Sequence, residues 1–470
     1  MGRELWRLTA REQAAAVRGG EVSAVELTES HLARIAEVNP RVNAVTQLLA
    51  DRALAAAALT DRRRAAGEEL GPLAGVPFTV KGSTPVEGAP TTFGSPRFRD
   101  LVAAADAPPV ARLRAAGAVP VGHTNLPTLV LAGMHTRSEL YGDTVNPWDR
   151  GRTPGGTSGG DAVAVATGMA ALGLGNDSGG SLRVPAQFCG VAALKPTPGR
   201  FPADHRVLGP ADPGPASQFL VTDGPFARSV GDLRAAYEAL AGTDPRDPRA
   251  VPVPRYGEPL PGPVKVAVVA DPGGHGVHPT VRAAVGRAAE ALRDAGYEVR
   301  EVPDVPRLDE ALEAYGRITA TEFTPSWPVV RTLLGEGGDR YLRMSMERHP
   351  PASAAELVEL TGTWLNIRRS WAEFLDEYPL LLGPSFTEPP VEPGLESRDR
   401  AGHARVAAGL RLCTATSFAG VPGVAVPTGA DAGLPTGVQL VGRAFREDLC
   451  LAAAEAVERR LGVLTPLDPR

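Results

Sequence analysis

Two segments of the chain set a hydroxyl residue directly behind a pair of glycines. Gly155-Gly156-Thr157-Ser158-Gly159-Gly160 does so at Thr157, and Asp177-Ser178-Gly179-Gly180-Ser181 does so at Ser181, 24 residues later. Consecutive glycines let backbone N–H groups turn toward one point, because no Cβ obstructs the turn. A hydroxyl beside such a nest has the two parts acyl transfer needs, a nucleophile and donors for a developing oxyanion. Read alone, each segment is equally a glycine-rich turn with a capping hydroxyl. Ser158 also completes Gly156-x-Ser158-x-Gly160, the pattern of a nucleophile elbow. That elbow needs a strand before it, and Pro147 and Pro154 make the preceding residues a poor central strand. His205 and His403, the histidines an elbow would draw on, stand in no distinguishing context.

Lysine is scarce. Of 49 basic residues only Lys81, Lys195 and Lys265 are lysines, and the rest are arginines. Arginine stays charged in a protein, whereas a buried lysine can lose its proton and act as a base. Lys81 closes the apolar run Val76 to Val80, ahead of Gly82. With a reference pKa of about 10.4 it must be desolvated, or set near positive charge, to be neutral at pH 7. The ordinary alternative is a strand-end lysine neutralising a carboxylate. Lys195 has the weaker case as a base, since no hydroxyl pair flanks it.

The elements that must position these groups can be read from periodicity and stop signals. Thr9-x-x-Glu12 and Ser23-x-x-Glu26 are capping boxes that open two helices, the second ending at Asn39-Pro40. A third helix is expected over the Ala-rich 46–66. Residues 76–81 read as a short buried strand, followed by a helix near 108–117 and a strand near 119–122. A small-residue helix over 159–171 leads into LGLG at 172–175. Further strands are expected at 264–270, 297–302, Leu381 to Gly383, 423–427 and 437–442, with helices at 279–295, 404–418 and 446–461. Pro/Gly-rich stretches at 196–215 and 245–263 read as loops. Alternating strands and helices argue for an α/β layered fold. A single domain over 1–470 is expected, with residues 1–70 as a helical segment packed on the core.

The totals exclude several classes. Apolar residues make up 43% and charged residues 22%, and the net charge of -5 gives no electrostatic case for nucleic acid or an anionic membrane. No run approaches the 18 apolar residues of a membrane span, and the N-terminus has no apolar signal-peptide core. Cys189, Cys413 and Cys450 form neither a disulfide framework nor a metal spacing, which suits a reducing cytoplasm. His275 and His278 are the one close histidine pair, in a Gly/Pro-rich loop, and read as solvated rather than as a metal site.

Taken together, the segments resemble the amidase signature family. The resemblance is carried by GVPFTVKG (75–82), PTTFGS (90–95), GHTNLP (122–127), YGDTVNPWDRGRTPGGTSGGD (141–161), GNDSGGSLRVPAQFCGVAALKPTPGR (175–200), FAGVPGVAVPTG (418–429) and GLPTGVQLVGR (433–443). It runs from about residue 5 to 462 and is densest over 75–200. The fold it implies is one α/β/α domain around a large mixed, mostly parallel sheet, without metal or cofactor. It implies a Ser–cis-Ser–Lys triad in which Ser181 is the nucleophile, Thr157 the bridging hydroxyl after a cis Gly156–Thr157 bond, and Lys81 the base. The backbone of Ser178, Gly179, Gly180 and Ser181 would form the oxyanion hole, with Ser158, Asp177 and Arg183 in support.

Two positions depart from the family pattern. The bridging residue is normally serine, and the lysine is normally followed by aspartate where this chain has Gly82. Pocket walls are expected around Leu126–Met134, including Leu131 and Met134, around Phe201–Phe219, and along 315–346. In the last segment Tyr315, Phe323, Trp327, Tyr341, Met344 and Met346 suggest an apolar cavity. The activity implied is hydrolysis of a small-molecule amide through an acyl-enzyme. The rivals are the glutaminase component of a glutamyl-tRNA amidotransferase complex, and a non-catalytic binding protein that keeps the fold. The expected partners are a small-molecule amide and, as an open option, a second copy in a homodimer. Neither nucleic acid nor membrane is expected.

Overall fold

The computed structural model describes residues 4–206, 209 and 211–470. Within the loop expected at 196–215, Val207, Leu208 and Pro210 lie outside the described residues, as do Met1–Arg3 at the N-terminus. One eleven-stranded sheet organises the chain. Its strands are β1 (Val45–Leu48), β2 (Pro77–Lys81), β3 (Val119–Thr124), β4 (Leu172–Asp177), β5 (Ala192–Lys195), β6 (Thr222–Ala227), β7 (Lys265–Val268), β8 (Glu298–Glu301), β9 (Leu380–Gly383), β10 (Gly423–Asp431) and β11 (Leu434–Gly442). Their spatial order is β1-β3-β2-β4-β6-β5-β10-β11-β9-β7-β8. The sheet is mixed, as expected. Its parallel pairings lie in two runs, β3-β2-β4 and β9-β7-β8. From β4 across to β9, neighbours are antiparallel. The expected parallel majority therefore holds only in those two runs. β10 and β11 are joined by two residues, a connection that only antiparallel strands can use.

Helices cover both faces. Phe78 and Val80 of β2 point to one side, into a core shared with helices α4 (Pro108–Ala115), Val230–Leu240, Pro279–Asp294 and Glu447–Leu461. Thr79 and Lys81, alternating with them, point to the other side. There the small-residue helices α5 (Gly159–Ala166) and α6 (Arg183–Cys189) pack on the sheet. Both N-terminal capping boxes form, opening helices α1 (Ala10–Gly19) and α2 (Ala24–Val42).

Several expected boundaries move. Helix α2 runs past Asn39-Pro40 to Val42 and ends at Asn43 in a left-handed cap, whose N–H donates to the Asn39 carbonyl. Proline in a last turn loses only one hydrogen bond, so it does not stop the helix there. The helix expected over 46–66 is the edge strand β1 followed by α3 (Ala50–Ala65). The Asn39 Oδ1 accepts from the Ala44 and Val45 N–H groups and turns the chain onto β3 before α3 begins. The N-terminal segment is thus not purely helical. Helix α5 stops at Ala166 rather than 171 because Gly168 takes a left-handed φ of 77° against Trp6. The helix expected over 404–418 is two, Arg400–Gly409 and Arg411–Ala419, broken at Leu410.

Candidate active site

Lys81 is the last residue of β2, a strand buried along its whole length between β3 and β4. Its side chain has no exposed surface. Nζ lies 2.5 Å from Thr157 Oγ1 and donates to Asn176 Oδ1 at 2.7 Å. Burial pushes the lysine down to about 7, against the opposing pull of Asp161, Asp223 and Asp177. Near neutrality an amine and an ammonium are then both accessible, and the short contact to Thr157 can pass a proton either way. Gly82 cannot carry the acid that the family pattern puts there. A Cβ at this position would lie 2.9 Å from the Thr124 carbonyl oxygen and 3.0 Å from Leu126 Cδ2.

Thr157 and Ser158 sit in the turn that enters α5, and the Gly156–Thr157 peptide bond is cis, as the resemblance implies. The two hydroxyls face different ways. Thr157 opens on the cavity described below. Ser158 is fully buried, with Oγ donating to the Asn176 carbonyl at 3.1 Å and accepting from its N–H at 3.2 Å. It therefore clamps the turn to β4. This commitment removes Ser158 as an elbow nucleophile, and the turn is not preceded by a strand of the sheet.

The second glycine segment follows β4 directly. Asp177, the last residue of the strand, bends the chain over itself by accepting the N–H of Gly180 at 2.7 Å and of Leu182 at 3.0 Å. Arg183 grips the same carboxylate with Nε and Nη2, each at 3.0 Å, and neither side chain has exposed surface. The other guanidinium contacts run to Thr416, Gln439, Ser417 and the Cys413 carbonyl. Burial would raise Asp177, but Arg183 and the backbone donors outweigh it and hold the acid at about 2. The Gly180 N–H is thus spoken for, a correction to the four-residue oxyanion hole expected from sequence. Among the described residues, the N–H groups of Ser178, Gly179 and Ser181 have no partner. Ser181 ends the nest, and its carbonyl accepts the Ser158 N–H at 3.3 Å, which binds the two glycine segments together.

A cavity of about 700 Å³ opens over Thr157, Ser178, Gly179 and Ser181. Leu131 and Met134 line it, as expected, and Glu396 fixes that wall by accepting the Met134 and His135 N–H groups. The far wall comes from helices Leu308–Phe323 and Gly335–Arg348. Tyr315, Phe323, Tyr341 and Met346 face the cavity, whereas Trp327 and Met344 do not. Met344 is buried on another face of its helix, three residues from Tyr341 but outside the 341, 345, 346 stripe. The 201–219 wall contributes His205, Ala216 and Ser217. His403 also lines the cavity, held by Ser345 at 2.9 Å. Lys195 Nζ is taken up by the Pro196 and Val421 carbonyls, so it ties loops together rather than serving the cavity. Sequence reading missed Asn176, Asp161 and Glu396. Asn176 and Asp161 fall inside the segments 175–200 and 141–161 without a role of their own, and only the packing of β4 and α5 against β2 brings them to Lys81.

The chain also has close likenesses among known proteins. A family model described as Amidase matches residues 26–451. The chain is 39% identical to an indoleacetamide hydrolase from Bradyrhizobium diazoefficiens, covering 98% of this chain and 88% of that one. It is 35% identical to the A component of a glutamyl-tRNA(Gln) amidotransferase from Synechococcus sp., covering 96% of each. Among solved structures it is similar to a 6-aminohexanoate cyclic dimer hydrolase, with a TM-score of 0.84, 29% identity, and coverage of 100% of this chain and 99% of that one. A bacterial aryl acylamidase aligns with a TM-score of 0.83 at 27% identity, over 96% of each chain.

Two stability tests follow from the packing. Gly82→Ala should destabilise the fold by roughly 1–3 kcal/mol, because the added methyl meets the Thr124 carbonyl oxygen as well as the Leu126 side chain; chemical denaturation reads this directly. Asp177, held below its unfolded value, contributes stability that is complete above about pH 4 and is lost as the pH falls toward 2. Arg183→Met should cost about 3–5 kcal/mol by leaving a buried charge alone. It should also reverse the sign, since an unpaired buried Asp177 titrates above its unfolded value and stability then falls as pH rises. Denaturant midpoints across pH 3–7 for both proteins separate the two patterns.

Proposed function

The chain belongs to the amidase family and is an amidase, a hydrolase of carbon–nitrogen amide bonds; on that premise we propose that it works through Ser181, Thr157 and Lys81 on a carboxamide with an apolar acyl part. The observation that carries the chemistry is the 2.5 Å contact between Lys81 and Thr157 at the floor of the cavity that Ser181 lines. The Ser181 hydroxyl proton passes to Thr157 Oγ1 while the Thr157 proton passes to the neutral Lys81 amine. Ser181 Oγ forms its bond to the amide carbon, and the carbonyl oxygen takes the negative charge beside the free N–H groups of Ser178, Gly179 and Ser181. Collapse breaks the C–N bond, and the proton returns from Lys81 through Thr157 to the leaving nitrogen. Water then attacks the acyl-enzyme ester along the same relay, releasing the carboxylic acid and restoring the Ser181 hydroxyl.

The substrate reading rests on two supports. The cavity falls within the range of about 300–1,000 Å³ usual for small-molecule sites, and its walls are mainly aliphatic and aromatic. The indoleacetamide hydrolase relative spans nearly the whole chain. We assign an arylacetamide-like primary amide, whose ring lies among Leu131, Met134, Tyr315 and Tyr341 and whose products are the acid and ammonia. Among the described residues no helix is long and apolar enough to cross a membrane. The three cysteines are free and buried, which favours a reducing cytoplasm as the setting. A panel of aryl, alkyl and peptide amides, with glutamine as a control, tests the reading by ammonia release. Release from glutamine alone would move it to the glutaminase component of an amidotransferase.

Ser181→Ala should abolish turnover and covalent labelling by a fluorophosphonate with the fold intact; near-normal kcat would remove Ser181 from the role. Lys81→Ala should lose more activity on amides than on activated esters, because only the amine leaving group needs a proton. Lys81→Arg should not rescue it. With Lys81 at about 7, kcat/KM should rise through an acidic limb near pH 7.

Thr157→Ser should stay within about tenfold of the parent enzyme, roughly 1.4 kcal/mol in barrier. Thr157→Val, which keeps the shape and loses the oxygen, should lose far more. Steady-state kinetics of the pair, with Ser158→Ala beside them, read the relay: near-normal kcat in the valine variant would exclude Thr157.

A further inference from the structure

We propose that Asp161 is a positioning acid for this site: its carboxylate, lodged under Lys81 on the same face of the sheet, sets how readily the lysine gives up its proton. The inference rests on the reading of Lys81 as the base and extends it to a residue to which the sequence reading gave no role.

Three placements carry it. Thr79 stands two residues before Lys81 on β2, so their side chains share a face. Thr124 is the register partner of Lys81 on β3. Asp161, in the first turn of α5, accepts the Thr79 hydroxyl at 2.9 Å on Oδ1 and the Thr124 hydroxyl at 2.8 Å on Oδ2. One carboxylate is therefore pinned to both residues that frame Lys81. All four side chains have no exposed surface. Water cannot screen the pair, so the charge on one is felt strongly by the other. The hydroxyl donors and the helix N-terminus both favour the ionised acid. Burial works the other way and raises Asp161 to about 7, while it lowers Lys81 to about 7. The two groups are thus balanced close to the pH at which a general base must switch.

Other groups face Lys81 as well. Thr157 and Asn176 hold Nζ directly. Asp223 on β6 is the register partner of Asn176 and is half-buried, and Asp177 at the end of β4 is already paired with Arg183. Asp161 differs from both. It is fully buried, has no cationic partner within salt-bridge distance among the described residues, and is anchored by the two residues that fix Lys81 in the sheet.

The small number of lysines permits a direct test. Protein carrying [ε-13C]lysine should give three resonances, assigned with Lys195→Arg and Lys265→Arg, and the Lys81 signal can be titrated independently of turnover. Asp161→Asn removes the negative charge and keeps the shape. Expected is a Lys81 titration lower by about 1 pH unit, with the acidic limb of kcat/KM moving down by the same amount. Thr79→Val, which removes one donor to the carboxylate and should make it less ionised, should shift both readouts the same way by less. It serves as the measurement if the asparagine variant does not fold. A Lys81 resonance that titrates unchanged in folded Asp161→Asn, or that moves only in Asp223→Asn, overturns the proposal. So does a loss of kcat with an unmoved resonance, the mark of a merely structural residue. A resonance that moves while the acidic limb stays put supports Asp161 as the controlling charge, and rejects Lys81 as the base instead.

Discussion

The Asp177 carboxylate meets the Arg183 guanidinium at two 3.0 Å contacts where neither side chain touches solvent. A buried ion pair stabilises a fold only when its remaining hydrogen-bond capacity is also filled. Here that capacity is spent on the chain around Ser181. The carboxylate draws in the N–H groups of Gly180 and Leu182, and the guanidinium reaches Thr416, Gln439 and Ser417 from the C-terminal third of the chain. The turn that presents Ser181 is thereby tied to a helix and a strand more than 200 residues away. Because Gly180 points its N–H inward, the neighbouring N–H groups of Ser178, Gly179 and Ser181 are left for the cavity. The anchoring and the exposure of donors are one arrangement.

Much of the floor of the site was legible in the sequence. Gly-Gly-Thr157 and Gly-Gly-Ser181 announce two nests, and three lysines among many arginines single out Lys81. Capping boxes at Thr9 and Ser23 give helix starts that depend only on neighbours three residues apart. What could not be read depends on register between distant strands. Nothing near Asp161 in the sequence says that Thr124 pairs with Lys81 across β2 and β3, and without that pairing the acid is an ordinary first-turn aspartate. The edge strand β1 was hidden for a similar reason. Its residues adjoin an Ala-rich helix, and only the Asn39 side chain and the open edge of β3 turn them into a strand. The four-residue oxyanion hole expected from the resemblance was too generous, since the direction of one N–H depends on a carboxylate that the motif does not orient.

Lysine chemistry in this fold depends on exclusion of water more than on a single partner. Both Lys81 and Lys195 are lowered to about 7, chiefly by burial. They differ in what surrounds the nitrogen. Lys195 ends on two backbone carbonyls, which hold it in place and have no proton to exchange. Lys81 ends on a hydroxyl and an amide oxygen, and the hydroxyl opens on the cavity. Desolvation lets either lysine shed its proton near neutral pH, and access to an exchangeable proton separates the catalytic candidate from the strut.

The floor and the walls of the cavity come from different parts of the chain. Lys81, Thr157 and the 178–181 nest lie in the first two fifths, bound to the sheet and to one another. The opposing wall is contributed largely by helices at 308–323 and 335–348, which make no hydrogen bond to Lys81 or Thr157 among the described residues. In the proposed reading, the walls that select a substrate and the floor that carries the relay therefore come largely from different stretches of sequence, meeting where Tyr315 reaches Gly179. A lineage could exchange the helical roof, and with it the shape of molecule admitted, while the floor of Lys81, Thr157 and Ser181 stayed fixed.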